Sequence, residues 1–328
     1  MGVVDYVSVG CLAIDNIIGT NGEKRLKVFG GNAAFGAAGI GLWHDGRVGV
    51  VSRRGTDLPM AWIDTLRAHG IDTRGIHDVP MRHMMFSGMV YDETGDRHEV
   101  TFNEDGQSAE LIEGFPEMTP EMVTLAHENF APTGDDIPDE YLGADVAIAA
   151  RHYDRQMAYA TRFREGRPDC LLVLDTGLQY MKPECIDLLP PLFEKVDVVI
   201  PSEAEARQLF GDVRPSEMLR GLERLGAKHA AVKLGKRGCL VDSGDGLALV
   251  GAYHSGSAVK DPSGAGDSFC GGFLVGLRRT GDLVEAAKYG AVSSSFVIED
   301  FGADYALDVR AEDAEARLSH IAVSTYND

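Results

Sequence analysis

Val196-Asp-Val-Val-Ile-Pro-Ser-Glu-Ala-Glu-Ala-Arg-Gln-Leu-Phe210 holds one short apolar run and one helix-length segment, and that pairing recurs along the chain. Val196 to Ile200 reads as a buried strand, with a helix over Ser202 to Phe210. Upstream, Val146 to Ala149 and Leu171 to Asp175 are separated by the helix-length Asp154 to Glu165, and Cys185 to Phe193 leads back into Val196. Ala230 to Lys233 is the fourth run. Strands apolar almost throughout, alternating with helices, predict an α/β fold with a doubly wound, mostly parallel sheet flanked by helices.

Toward the N-terminus the pattern continues. Val3 to Val9 reads as a strand ending at Gly10, and Asn32 to Trp43, rich in Ala and Gly, as a closely packed helix. Gly46 to Ser52 is a second buried strand, and Met60 to His69 a helix that stops at Gly70. His83 to Phe102 has a different character. Met85, Ser87, Met89 and Tyr91 alternate with Phe86, Gly88 and Val90, and Asp92-Glu-Thr-Gly-Asp96 supplies a turn before Arg97 to Phe102 returns. With Lys24 to Phe29 this hairpin makes a small β-sheet lid, so one domain over 1–328 carries lid elements at about 20–30 and 83–102. Cys239 to Val241 and Leu247 to Val250 form another hairpin, and Asp267 to Arg279 and Leu283 to Ile298 two late helices.

Composition narrows the function. The 328 residues are 44% hydrophobic and 25% charged, as in an ordinary globular protein. A net charge of -20 argues against nucleic acid, whose backbone needs clustered Lys and Arg. The N-terminus has no signal-peptide pattern, and no run approaches the roughly 18 apolar residues of a membrane span. The five cysteines include no CxxC pair, so a reducing cytoplasm is expected. The ten histidines show no HExxH spacing.

The chemistry concentrates in Asp261-Pro-Ser-Gly-Ala-Gly-Asp267, which runs into Ser268-Phe-Cys-Gly-Gly-Phe-Leu-Val-Gly-Leu277. Gly264 and Gly266 let the backbone turn and aim amide hydrogens at one spot, and the helix N-terminus adds partial positive charge there. Asp267 beside that anion hole can accept a proton from an attacking hydroxyl. The plainer alternative is a helix start capped by Asp267 or Ser263. No GxxxxGK motif followed by Ser or Thr occurs, a dinucleotide fingerprint would need Gly where Phe269 stands, and a nucleophile elbow would need Gly where Asp261 stands.

A second feature is Phe29-Gly-Gly-Asn-Ala-Ala-Phe-Gly-Ala-Ala38. Gly30 and Gly31 permit close approach of a ligand to the backbone, and Asn32 offers donor and acceptor groups to a polyol; a hairpin exit into a tightly packed helix would look the same. Asp15, just past the first strand, stands where open α/β sheets bind ligands, although a turn or helix cap also uses Asp there.

Gly30-Gly31 and Asp261-Pro-Ser-Gly-Ala-Gly-Asp-Ser-Phe269 resemble the two signatures of the PfkB, or ribokinase-like, carbohydrate kinase family, at the right separation. The resemblance implies that fold and ATP-dependent phosphorylation of a hydroxyl of a sugar or sugar-like metabolite. It makes Asp267 the base and Gly264, Ala265 and Gly266 the anion hole. Asp15, Gly30 and Gly31, with Asn32 and Phe35 beside them, become substrate residues. Val199-Ile-Pro-Ser-Glu-Ala-Glu-Ala206 is similar to the family's Asn-x-x-Glu segment, making Glu205 the acid that organises Mg2+ through water, with Ser202 where Asn is commoner. Ala231-Val-Lys-Leu-Gly-Lys-Arg-Gly238 resembles the nucleotide-lining turn, which brings in Lys233, Gly235 and Gly238. Asp261 corresponds to a ligand of a monovalent cation such as K+. Phe35 stands where the family usually has a sugar-contacting Asn.

Two other functions stay open. A nucleoside kinase on the same fold would use Phe35, Met84, Met85, Phe86 and Met89 against a base. A catalytically silent metabolite-binding protein would have no need of Asp267. The apolar face of a small lid also predicts a homodimer through lid strands.

Overall fold

Strand β1, Tyr6–Val9, is buried along its whole length and pairs in parallel with two strands at once. They are β4, Val48–Arg54, and β8, Asp145–Ile148. Parallel pairing extends through β5 (Asp72–Asp78) on one side and β9 (Leu172–Asp175), β10 (Val198–Ile200) and β11 (His229–Lys233) on the other. Three antiparallel strands finish the sheet: β12 (Cys239–Asp242), β13 (Leu247–Val250) and β14 (Val323–Thr325). The order is β14-β13-β12-β11-β10-β9-β8-β1-β4-β5. This computed structural model describes residues 3–93, 95, 97–99, 120–149, 152–254, 256 and 259–327.

Both faces of the central strands are apolar, which is why they read as continuous runs. On one face Val173, Val198, Ile200 and Ala231 join helices α1 (Asn32–Gly41), α2 (Met60–Ala68), α8 (Ala265–Thr280), α9 (Leu283–Val297) and α10 (Ala311–Leu318) in one core. On the other, Leu172, Leu174, Val199 and Val232 meet α4 (Tyr153–Gly166), α5 (Leu189–Phe193), α6 (Glu203–Phe210) and α7 (Pro215–Arg224). Helix α3 is Pro120–Phe130. The α8–α9 contact is close because Gly272 faces Ser293, whose hydroxyl accepts from Trp43 Nε1 at 3.0 Å and donates to the Gly39 carbonyl at 2.9 Å.

The second sheet is the expected lid, with one strand more than expected. Its order is β3-β2-β6-β7, with β2 at Ala13–Ile18, β3 at Lys24–Gly30, β6 at Phe86–Tyr91 and β7 at Arg97–Glu99. Residues 100–102 of the expected hairpin lie outside the described residues. Strand β2 was not legible: Asp15-Asn16 interrupts its apolar alternation, and its partners are distant in sequence. Asp15 therefore sits within the lid sheet, not in a turn beyond β1. Cys185 to Phe193 also departs from a single helix, dividing into a 3-10 segment, Pro183–Leu188, and α5.

Lid and main body are tied by hydrogen bonds. Thr20 N–H donates to the Lys260 carbonyl at 3.0 Å, and Ala303 N–H to the Phe29 carbonyl at 2.9 Å. Tyr91 and Ser263 hydroxyls meet at 2.9 Å, joining β6 directly to the loop ahead of α8.

Candidate active site

The loop before α8 is organised by Asp261, which is buried and accepts from Ser263 N–H at 2.9 Å. Gly264 is the N-cap, at φ 72 and ψ 0, a left-handed conformation that costs an L-residue energy. It is also covered, since a Cβ at 264 would overlap the Phe35 ring. Ala265 N–H bends back to the Pro262 carbonyl at 3.2 Å. Amides in the first turn of a helix have no intrahelical acceptor, and the dipole stabilises negative charge among them. Asp267 is the third residue of α8 and nearly buried. The cap is thus Gly264, and neither Ser263 nor Asp267 holds that position.

A cation lies under this turn. Lys233 Nζ is 2.6 Å from Asp175 Oδ1, with both side chains largely buried, and a Cβ at Gly266 would stand 3.2 Å from Nζ. Burial works against charge on Lys233, but Asp175, Cys270 and Glu205 outweigh it and hold its pKa above the usual lysine value. The ammonium therefore stays protonated beside the first turn of α8.

Ser202 and Glu205 meet this group from α6. Ser202 N–H donates to Glu205 Oε2 at 2.7 Å, Glu205 N–H to Ser202 Oγ at 3.3 Å, and Thr176 Oγ1 to Glu205 Oε2 at 3.0 Å. This reciprocal capping fixes the helix start. A bridge between Ser202 and Lys233 sets the two side by side, and the 3-10 turn Gly235–Arg237 with Gly238 follows from β11.

Next to the turn is a cavity of about 250 Å³. Asp15, Gly31, Asn32, Phe35, Gly264 and Asp267 all line it. Asp15 accepts a hydrogen bond from the Ser87 hydroxyl, and Ser87 lies opposite it in the β2–β6 register. Gly30 makes room for that carboxylate: a side chain at 30 would overlap Asp15 Oδ2. Asn32 is engaged within the protein, since Oδ1 accepts from Cys11 N–H at 2.6 Å and Nδ2 donates to the Ala149 carbonyl at 2.7 Å. Its carboxamide pins α1 to β8, while its edge still faces the cavity. Met85, Phe86 and Met89 supply apolar wall from the lid.

Three lining residues carried no signal in the sequence: His127, His152 and Gln179. They belong to no motif, and α3 and α4 are brought to the cavity only by the fold. Burial, and then His152, lowers the His127 pKa to about 4; burial, and then Arg155, lowers that of His152. Among the described residues no cluster of three metal-ligating side chains occurs. A larger depression of about 460 Å³, between Tyr253, Phe296 and Arg317, contains none of the motif residues. Its guanidinium is paired with Glu299 at 2.9 Å and stacked on Phe296 at 3.5 Å.

The model of the pfkB family carbohydrate kinase matches residues 15–310. The chain is 28% identical to the cytidine kinase of Thermococcus kodakarensis over 311 residues, 94% of this chain and all of that one. Among solved structures it resembles an Escherichia coli protein assigned as a ribokinase II, in complex with ATP and Mg2+, with a TM-score of 0.69, 18% identity and coverage of 97% and 100%. A double mutant of Vibrio cholerae fructokinase, bound to fructose, ADP and potassium ion, gives 0.68, 22%, 97% and 99%. The two structures share the fold. The chain belongs to the pfkB family of carbohydrate kinases and is an ATP-dependent phosphotransferase with an alcohol group as acceptor.

Proposed function

We propose that the acceptor hydroxyl of a small sugar or sugar-like metabolite binds beside Asp15 and is deprotonated by Asp267 as it attacks the γ-phosphorus of ATP. The observation that carries this is that Asp15, from the lid, and Asp267, from the first turn of α8, line one cavity. One carboxylate orients a hydroxyl while the other takes its proton. The amides around Gly264–Gly266, with the Lys233 ammonium behind them, stabilise charge on the transferring group. Catalysis is then positioning and electrostatics, helped by a lid that excludes water. Replacing Asp267 with Asn should lower kcat about 10²–10⁴-fold and leave ATP affinity nearly unchanged; turnover retained within a few-fold would overturn the assignment.

Ser202, Lys233, Gly235 and Gly238 form the nucleotide side of this reading. Support comes from their adjacency at the ends of β10 and β11. Mg2+ keeps several waters and binds through few protein carboxylates, which suits a single buried acid such as Glu205. When bound with ATP it neutralises phosphate charge. A monovalent cation at Asp261 belongs to the same reading, and the potassium in the Vibrio cholerae structure supports it. Activity assayed in K+ against a large organic cation tests it, equal rates being the contrary result.

The reading includes a homodimer through lid strands. Leu26, 48% exposed on edge strand β3, supports it, although Lys24, Arg25 and Lys27 flank it. Light scattering at micromolar concentration tests it, a monomer mass counting against.

A further inference from the structure

Strand β9 runs out into two residues that reach opposite faces of the sheet. Side chains along a strand alternate, so Leu172 and Leu174 pack among the helices of one face and Val173 among those of the other. Asp175 and Thr176 carry that alternation past the last apolar residue. Asp175 turns toward α8 and holds Lys233 Nζ at 2.6 Å, with Cys270 Sγ of α8 3.8 Å from the same nitrogen. Thr176 turns toward α6, where its hydroxyl donates to Glu205 Oε2 at 3.0 Å. Lys233 and Glu205 are therefore both anchored by neighbouring residues of one strand end.

A third element clamps that strand end. Gln156, fully buried on α4, donates from Nε2 to the Asp175 carbonyl at 2.7 Å and accepts from the Tyr180 hydroxyl at 2.5 Å. A buried carboxamide bonded at both ends holds one geometry, since any other leaves a polar group unpaired.

The Thr176 bond is of a different kind from those around it. Thr176 is fully buried and belongs to none of the motifs. Most side-chain hydrogen bonds run to backbone or water, whereas this hydroxyl goes to a carboxylate 29 residues away. The start of α6 does not need it, because Ser202 and Glu205 already cap that helix reciprocally. Oε2 thus receives two donors, Ser202 N–H at 2.7 Å from the head of α6 and Thr176 from the sheet. With Ser202 alone the carboxyl group could pivot about that contact. A second donor on a separate, clamped element removes the pivot.

We propose that Thr176 is a positioning residue for the phosphoryl transfer, its hydroxyl holding the Glu205 carboxylate in the orientation that serves Mg2+. This rests on the reading of Glu205 given above. Thr176 acts only through Glu205 and touches neither nucleotide nor acceptor. Partners that orient a metal-serving side chain in this way are typically worth about 10–100-fold in metal affinity.

Calorimetry on the purified full chain tests this without any acceptor. The probe is an ATP analogue with an imido β–γ bridge, titrated once with Mg2+ and once in EDTA. The quantity read is the tightening of Kd that Mg2+ brings. Thr176→Val exchanges the hydroxyl for a methyl of similar size; it should cut that tightening about 10-fold and leave the metal-free Kd unchanged. Thr176→Ser should keep most of it. On a Glu205→Gln background, Thr176→Val should change the tightening no further. Melting temperatures are taken alongside, because a merely structural threonine would lower them and leave the effect of Mg2+ alone. If the Val variant does not fold, Thr176→Ala is read in the same way. Tightening lost in Glu205→Gln but unmoved in Thr176→Val overturns the role of Thr176 alone, as does an equal loss in the Ser and Val variants. Tightening unmoved in Glu205→Gln overturns the magnesium reading of Glu205, and the role of Thr176 falls with it.

Discussion

The ring of Phe35 lies against Gly264 so closely that no Cβ fits between them. This contact joins the helix that opens after β3 to the glycine turn ahead of α8, at the other end of the chain. It also gives Phe35 work that a polar residue could not do, because the ring is buried and forms the roof of a left-handed backbone position.

Gly264→Ala should therefore be damaging twice over, through strain at φ 72 and through the clash with Phe35. Loss of more than about 1 kcal/mol of stability and of most turnover is expected. Adding Phe35→Ala should recover part of the stability but not the strain term. A double-mutant cycle by urea denaturation reads the coupling; strictly additive losses would show that the two residues do not interact.

Lys233→Met would leave Asp175 buried without its cation. Removing one partner of such a pair costs about 3–5 kcal/mol, so the variant should be unfolded or nearly so at moderate urea. Replacing both, as Lys233→Met with Asp175→Leu, should restore much of the stability while activity stays low. Recovery of activity in the double variant would contradict the proposed role of Lys233 in stabilising the transferring phosphate.

Stability should fall on mild acidification. His83 and His127 are each lowered by burial to about 4, against 6.5 for the ordinary side chain. Between those values the unfolded chain binds more protons, so their contribution is complete above about pH 6.5 and is lost as pH falls toward about 4. Asp57, Asp72 and Asp197, whose pKa values are lowered from 3.8, act only in stronger acid. His69, raised by its bond to Thr65, works in the opposite direction from the surface. Melting temperatures at pH 7 and pH 5 should differ less in His83→Gln than in the unaltered chain; an equal difference would contradict the assignment.

Asp15→Asn keeps the shape of the β2–β6 pair and removes the charge that accepts from Ser87. The KM for the acceptor should rise about 10-fold or more, with KM for ATP unchanged. Gly30→Ala should imitate it by displacing the same carboxylate. Equal effects on both substrates would mean that the lid, rather than the acceptor contact, had been disturbed.

The parallel sheet was legible because Val146, Leu172, Val199 and Val232 belong to runs that are apolar on both faces, a local property. The turn around Gly264 was legible for a similar reason, since glycine spacing and an acid at a helix start are contiguous. Strand β2 was not. Its hydrogen bonds are made to Gly30 on one side and to Phe86 and its neighbours on the other, and no short window contains both.

The sequence alone determined the alternation of strands and helices, and the glycine turn with Asp267 at the start of α8, because each depends on residues a few positions apart. Tertiary structure decided what stands around the cavity beside that turn. Asn32 became a strut between Cys11 and Ala149, Phe35 a cover for Gly264, and His127 and His152 neighbours inside one cavity. Those outcomes depend on which helices the sheet order places side by side. No local pattern carries that, because the contacts form between segments whose own propensities are indifferent to one another.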